Sequence, residues 1–170
     1  GINTRVVRRS NALQAFKYGK NFRYHETMAI QKGLRGRFLA ETFRLGLGIM
    51  MGLITWQPIR NLMLGTLLPK PGEGPSADER ENGFFNMLLV GHHSRNATTT
   101  KVRVLGKRDP GYGATSRMLA QAALSLAQDT HLPETFGLLT PATALGLDFV
   151  PRLAKAGITF SIESIPSLQQ

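Results

Sequence analysis

The chain has 170 residues, 42% hydrophobic and 19% charged, which suits one domain with a sizeable core and does not suit a disordered chain. Lys plus Arg number 21 against 11 Asp plus Glu, a formal charge of +10. There are no cysteines, which excludes a disulfide scaffold, Cys-ligated zinc, an iron–sulfur cluster and a thiol nucleophile, and permits a reducing compartment.

The first residue is Gly and no charged-then-apolar leader follows, so the chain reads as one domain of a longer protein. Arg5 to Leu13 reads as a strand, and Phe22 to Ile30, which alternates, as a second. Tyr18-Gly19-Lys20-Asn21 supplies turn chemistry between them, and the two are expected to pair as a hairpin. Residues 1–44 hold ten basic and two acidic residues, supplying +8 of the charge. Such asymmetry suggests an anionic partner, such as cofactor or carrier phosphates or acidic lipid. With no zinc-finger, RRM or KH signature, nucleic acid is not the expected one. The plainer alternative is a solvated face beside a further domain.

Leu34 to about Trp56 reads as a helix, amphipathic in its first half and uncharged from Leu45 to Ile59. Those fifteen residues fall short of the ~20 that a membrane span needs, which favours a buried or interfacial helix. Gly48 and Gly52 have the spacing that lets helices approach closely, which suits a homodimer seam or an apolar ligand wall, with core packing as the favoured reading. A helix follows from Pro58 to Leu67, and then an irregular loop from Pro69 to Pro75. Ser76-Ala-Asp-Glu79 is a capping box opening a short helix that stops at Asn82-Gly83.

Phe84–His92 and Thr98–Gly106 read as an antiparallel hairpin around Ser94-Arg95-Asn96. A helix follows, with an apolar stripe of Met118, Leu119, Ala122, Ala123, Leu126 and Ala127. Thr140-Pro141 opens the last helical region, Pro151 should kink or split it with Asp148 capping the second piece, and Gly157 closes it. Ile158–Ile162 is a final strand. The expected fold is a single α+β domain over residues 1–170, a largely antiparallel or mixed sheet with helices mainly on one face.

Several constellations carry no chemistry. His25-Glu26 lacks the second His of HExxH, and adjacent His92 and His93 on a strand point to opposite faces, so no metal is expected. There is no GxSxG elbow, Walker A motif or strand-GxGxxG-helix unit, so no cofactor is expected on this chain. The informative stretch is Asp109-Pro-Gly-Tyr-Gly-Ala-Thr115. Gly111 and Gly113 allow close approach, and the helix behind offers N–H groups to an anionic or carbonyl group, with the Tyr112 hydroxyl as a donor. A purely structural strand-to-helix turn is the equal alternative.

Three stretches together resemble the C-terminal part of saccharopine dehydrogenase-like oxidoreductases, including the group described as trans-acting enoyl reductases. They are Pro71-Gly-Glu-Gly-Pro-Ser76 with Arg80-Glu-Asn-Gly83, then Asp109 to Thr115, then Leu139-Thr-Pro-Ala142 through Leu145-Gly146 to Arg152-Leu153 and Ala156-Gly157. Arg5 to Ala12 and Phe22-Arg-Tyr24 are similar to the preceding segment. Pro151 departs from the unbroken helix expected there.

The resemblance implies the substrate-binding and dimerisation domain of a cytoplasmic NAD- or NADP-dependent oxidoreductase. An N-terminal dinucleotide-binding domain would be its missing partner, and the fragment alone would be inactive. Asp109, Gly111, Tyr112, Gly113, Thr115 and Thr140 are the substrate-binding candidates, and no catalytic residue transfers. The alternative is a structural or membrane-surface module using the apolar helix and the basic N-terminal third.

Overall fold

A computed structural model describes residues 2–66, 72–93 and 98–163, in two compact units: residues 1–24 with 75–170, and residues 25–74. The expected turn at Ser94-Arg95-Asn96, residues 69–71 of the Pro69–Pro75 loop and the end of the helix at Leu67 lie outside the described residues.

The larger unit opens with α1 (Ile2–Leu13), which corrects the first expected strand. Val6-Val7 favours extended backbone locally, but α1 buries Ser10 and Asn11 one helical turn beyond that pair. The Ser10 hydroxyl meets that of Thr140 at 2.7 Å and also bonds the Val6 carbonyl. The Asn11 side chain accepts from the Tyr18 N–H and donates to the Gly19 carbonyl. The turn it pins carries Ala15 and Phe16 at positive φ, the left-handed region that non-glycine residues rarely enter. The second expected strand, residues 22–30, has no regular structure. With α1 helical, the partner it was to pair with is gone.

The Ser76 capping box forms as expected at the start of α4 (Ala77–Asn82). Strands β1 (Phe84–His93), β2 (Thr98–Lys107) and β3 (Ile158–Glu163) make one antiparallel sheet in the order β1-β2-β3. The register puts Phe85, Val102, Val104 and Ile158 on one face. There they pack with Met118 of α5 (Gly113–Gln128) and Phe149 and Leu153 of α7 (Phe149–Lys155), forming the core. On the opposite face Arg103 pairs with Glu163 and bonds Asn86. The fold is α+β, as the sequence implied.

Two helical details differ from expectation. In α5, Leu119, Ala123, Leu126 and Ala127 are exposed, and the covered line runs Ala114, Met118, Ala122, Ser125 and Asp129. Serine and aspartate serve there because the Ser125 hydroxyl donates to Asp129, which also takes a two-pronged bond from Arg152 of α7. The helical break falls between α6 (Pro141–Ala144) and α7, where Gly146 has φ +62, and Pro151 sits in the first turn of α7, where its missing N–H costs nothing. Asp148 occupies the cap position of α7 without a side-chain cap bond.

The Arg152 and Ser125 hydrogen bonds pull the Asp129 carboxyl down to about 2. A lowered native value stabilises above the ordinary aspartate range and is lost as pH falls through the native one. Acid unfolding followed by circular dichroism should therefore reach down between about pH 4 and pH 2, a window set by that native value and the ordinary ~3.9. Arg152→Met should move the acid midpoint upward, and an unchanged midpoint would show the joint to be inert.

The smaller unit holds α2 (Leu34–Thr55) and α3 (Gln57–Thr66), separated by Trp56 in extended conformation. Both were legible as helices. Core packing of α2 was not borne out: Gly36 is its only buried residue.

Candidate functional site

Five of the six candidate binding residues lie where β2 passes into α5: Asp109, Gly111 and Tyr112 on the connecting loop, and Gly113 and Thr115 in the first turn of the helix. Arg108, at φ +84, turns the chain there and pairs with Glu81 of α4. The Asp109 N–H donates to the Arg80 carbonyl at 3.0 Å. A Cβ on Gly83 would lie 2.5 Å from the Asp109 nitrogen, and one on Gly113 would lie 2.7 Å from the Arg80 carbonyl oxygen. Both glycines are thus places where the loop and α4 touch backbone to backbone. Neither Gly111 nor Gly113 has positive φ, so close approach rather than backbone conformation is what Gly113 supplies.

The Asp109 carboxylate accepts from the N–H groups of Gly111, Tyr112 and Gly113, at 3.1, 2.6 and 3.1 Å. These bonds, the Tyr112 one first, hold its carboxyl below the usual aspartate range, with Arg80 helping. The N–H groups that the sequence offered to a bound anion are therefore occupied by a side chain of the same loop. The Thr115 hydroxyl donates to the Pro110 carbonyl at 2.7 Å. Tyr112 is 59% exposed, the large side chain that this loop presents to solvent. The loop can present that phenol, but the N–H groups of Gly111, Tyr112 and Gly113 are committed.

Thr140 belongs to a different joint. It is 6% exposed, caps α6 with Thr143 in a reciprocal box, and shares its hydroxyl with Ser10. Its polar atoms hold α1 to α6.

Sequence reasoning registered the basic N-terminal third without locating a site in it. Arg8, Lys20 and Arg23 line a shallow cavity of about 440 Å³ with Phe16 and Phe22, shaped by the left-handed turn after α1. A second hollow of about 330 Å³ lies between α5 and α7, lined by Arg117 and Lys155. Among the described residues no carboxylate lines either one. Cations unopposed in a concave surface suit an anionic group, and phenyl rings suit an apolar or aromatic one beside it. The signal was charge asymmetry; α1 and its turn brought these residues together.

Among the described residues no group of three His, Cys, Asp or Glu could hold a metal. A dinucleotide of the doubly wound kind needs a parallel strand leading to a helix start with free N–H groups. Here the sheet is antiparallel and Asp109 takes those donors, so the described residues do not fit one held in that manner.

No family model and no solved structure matches the chain. Curated relatives do. A Mycobacterium tuberculosis protein provisionally named a trans-acting enoyl reductase is 38% identical over 97% of this chain and 40% of its own length. Proteins named trans-acting enoyl reductase from Mycobacterium ulcerans and Mycobacterium bovis are each 37% identical, over 94% and 92% of this chain and 38% of their own lengths. The chain thus spans about 40% of the length of the curated relatives it matches.

Proposed function

We propose that this chain is the substrate-side portion of a nicotinamide-dependent oxidoreductase that reduces the carbon–carbon double bond of an enoyl group. The observation that carries the reading is the 38% identity, sustained over 97% of the chain, to a relative named for that activity. The cavity of Arg8, Lys20 and Arg23, which no carboxylate among the described residues lines, supports it, since enoyl groups commonly travel on phosphate-bearing carriers. In this reading the cavity binds the carrier's anionic group, and the Tyr112 phenol sits at the edge of the substrate cleft. The dinucleotide is held by the portion of the relatives' length that this chain does not span. That assignment agrees with the occupied N–H groups at α5. Saccharopine-dehydrogenase-like ancestry is the finer version, resting on the three stretches from Pro71 to Gly157.

The test uses the longer natural protein that contains this chain, an enoyl thioester on a phosphopantetheine-bearing carrier, and NADPH or NADH oxidation as the readout. Turnover is expected from the longer protein. Arg8→Glu with Arg23→Glu should raise KM more than tenfold with kcat little changed, the pattern of lost ground-state binding. A fluorescence titration should find no micromolar NADPH affinity in residues 1–170 alone. Absence of any enoyl-dependent oxidation overturns the activity, and tight NADPH binding by this chain overturns the division of labour.

A further inference from the structure

We infer that the smaller unit docks on an anionic lipid bilayer, with Leu45 to Ile59 lodged in the hydrocarbon of one leaflet and the flanking arginines in its headgroup layer. The inference stands apart from the reductase reading.

α2 reaches the length and mean hydropathy of a membrane span only with Glu41 and Arg44 included, and none of its apolar window is buried. Phe38, Leu39, Phe43, Leu45, Ile49 and Met51 are all more than half exposed. Such a helix needs an occupant, because water around that much contiguous apolar surface is unfavourable. The distribution of charge and of apolar side chains around the helix selects which.

Two residues apart on a helix means about 200° around it. Leu47 and Ile49 therefore lie on opposite sides, and they are 45% and 61% exposed. A second copy of the chain seated on Gly48 and Gly52 would cover one side and leave the other wet. Lipid covers both, and a segment apolar all round is what a hydrocarbon medium accepts.

The run from Leu45 to Ile59 carries no charge over fifteen residues. As helix it extends about 22 Å, less than the ~30 Å hydrocarbon core and more than the ~15 Å of one leaflet. The break at Trp56 shortens its straight reach further. One-leaflet insertion fits that length, and spanning does not.

The ends of the run fix the headgroup chemistry. Lys32, Arg35, Arg37 and Arg44 precede it and Arg60 follows it. The nearest acidic residue, Glu41, is paired with Arg44 at 2.8 Å. Long basic side chains reach from a buried backbone to the phosphate layer, and cations near an anionic surface are attracted to it. Trp56, 62% exposed, is of the type that favours the boundary between headgroups and hydrocarbon.

Trp56 is also the single tryptophan of the chain, so it reports without labelling. The 170-residue chain is floated with vesicles of phosphatidylcholine alone, or of phosphatidylcholine with phosphatidylglycerol. Expected are flotation with the anionic vesicles, a blue shift of Trp56 emission, and quenching by brominated acyl chains. Leu47→Glu with Ile49→Glu should weaken partitioning more than tenfold. Both positions are exposed, so an unchanged far-ultraviolet spectrum is expected. Arg35→Gln with Arg37→Gln should weaken binding to anionic vesicles roughly 25-fold, about fivefold for each cation. Equal binding to neutral and anionic vesicles would overturn the inference. So would a Trp56 shift that follows protein concentration without lipid and is accompanied by dimers in sedimentation, which would make a second copy the occupant. Failure to float at all overturns it too. None of these outcomes bears on NADPH turnover, so this inference and the reductase reading fail separately.

Discussion

Ile158→Ala should destabilise the larger unit by about 3 kcal/mol and lower its melting temperature by about 10 °C. Ile158 is 2% exposed, held between Val104 of the sheet and Leu153 of α7. Only five hydrophobic residues are buried among those described, so few neighbours are available to collapse into the space. With folded domains stable by only ~5–15 kcal/mol, that loss is a large fraction. Ile162→Ala is the internal comparison. It lies on the same strand and the same face of the sheet, yet is 80% exposed, and should cost under about 0.5 kcal/mol. Thermal unfolding of both variants, followed by circular dichroism, measures the difference. Similar losses at the two positions would mean that the core is not centred where α5 and α7 cover the sheet.

On the proposed reductase reading, the second large effect is expected at Tyr112, measured as turnover by the longer protein. If its phenol donates to charge developing on the substrate, Tyr112→Phe should slow turnover about 100-fold, the scale of losing one such donor. The ring is exposed, so the melting temperature should stay put. Gly113→Val, one residue on, should behave in the opposite sense. Its Cβ would lie 2.7 Å from the Arg80 carbonyl oxygen and 3.1 Å from the Arg108 side chain, a collision with backbone that costs about 1–3 kcal/mol. Kinetics and unfolding on the same two variants separate chemistry from scaffolding. A Tyr112→Phe enzyme within twofold of the parent would make the whole loop structural, as the Asp109 hydrogen bonds already make its backbone.

Where local chemistry is strong enough to act alone, this sequence determined its own structure. The Ser76 capping box, the hairpin from Phe84 to Lys107, Thr140-Pro141 at the head of α6, Gly157 at φ +92 and the strand from Ile158 all follow from caps, alternation and permissive backbone positions within a few residues. Tertiary structure decided the rest. Arg5 to Leu13 is helical although two valines favour a strand, and in that form it sets Ser10 against Thr140, 130 residues away. The covered line of α5 runs through Ser125 to half-buried Asp129 at the helix end because Arg152, on another helix, supplies the counter-charge that Asp129 takes. The stretch from Asp109 to Thr115 was legible as a motif, but the carboxylate folded onto its own N–H groups depends on side-chain geometry that spacing does not report. Hydropathy marked Leu45 to Ile59 as wanting to leave water, and only the fold showed that α2 buries Gly36 alone and none of that run. A pattern of apolar residues specifies that a surface will be covered; what covers it depends on which distant side chains come near.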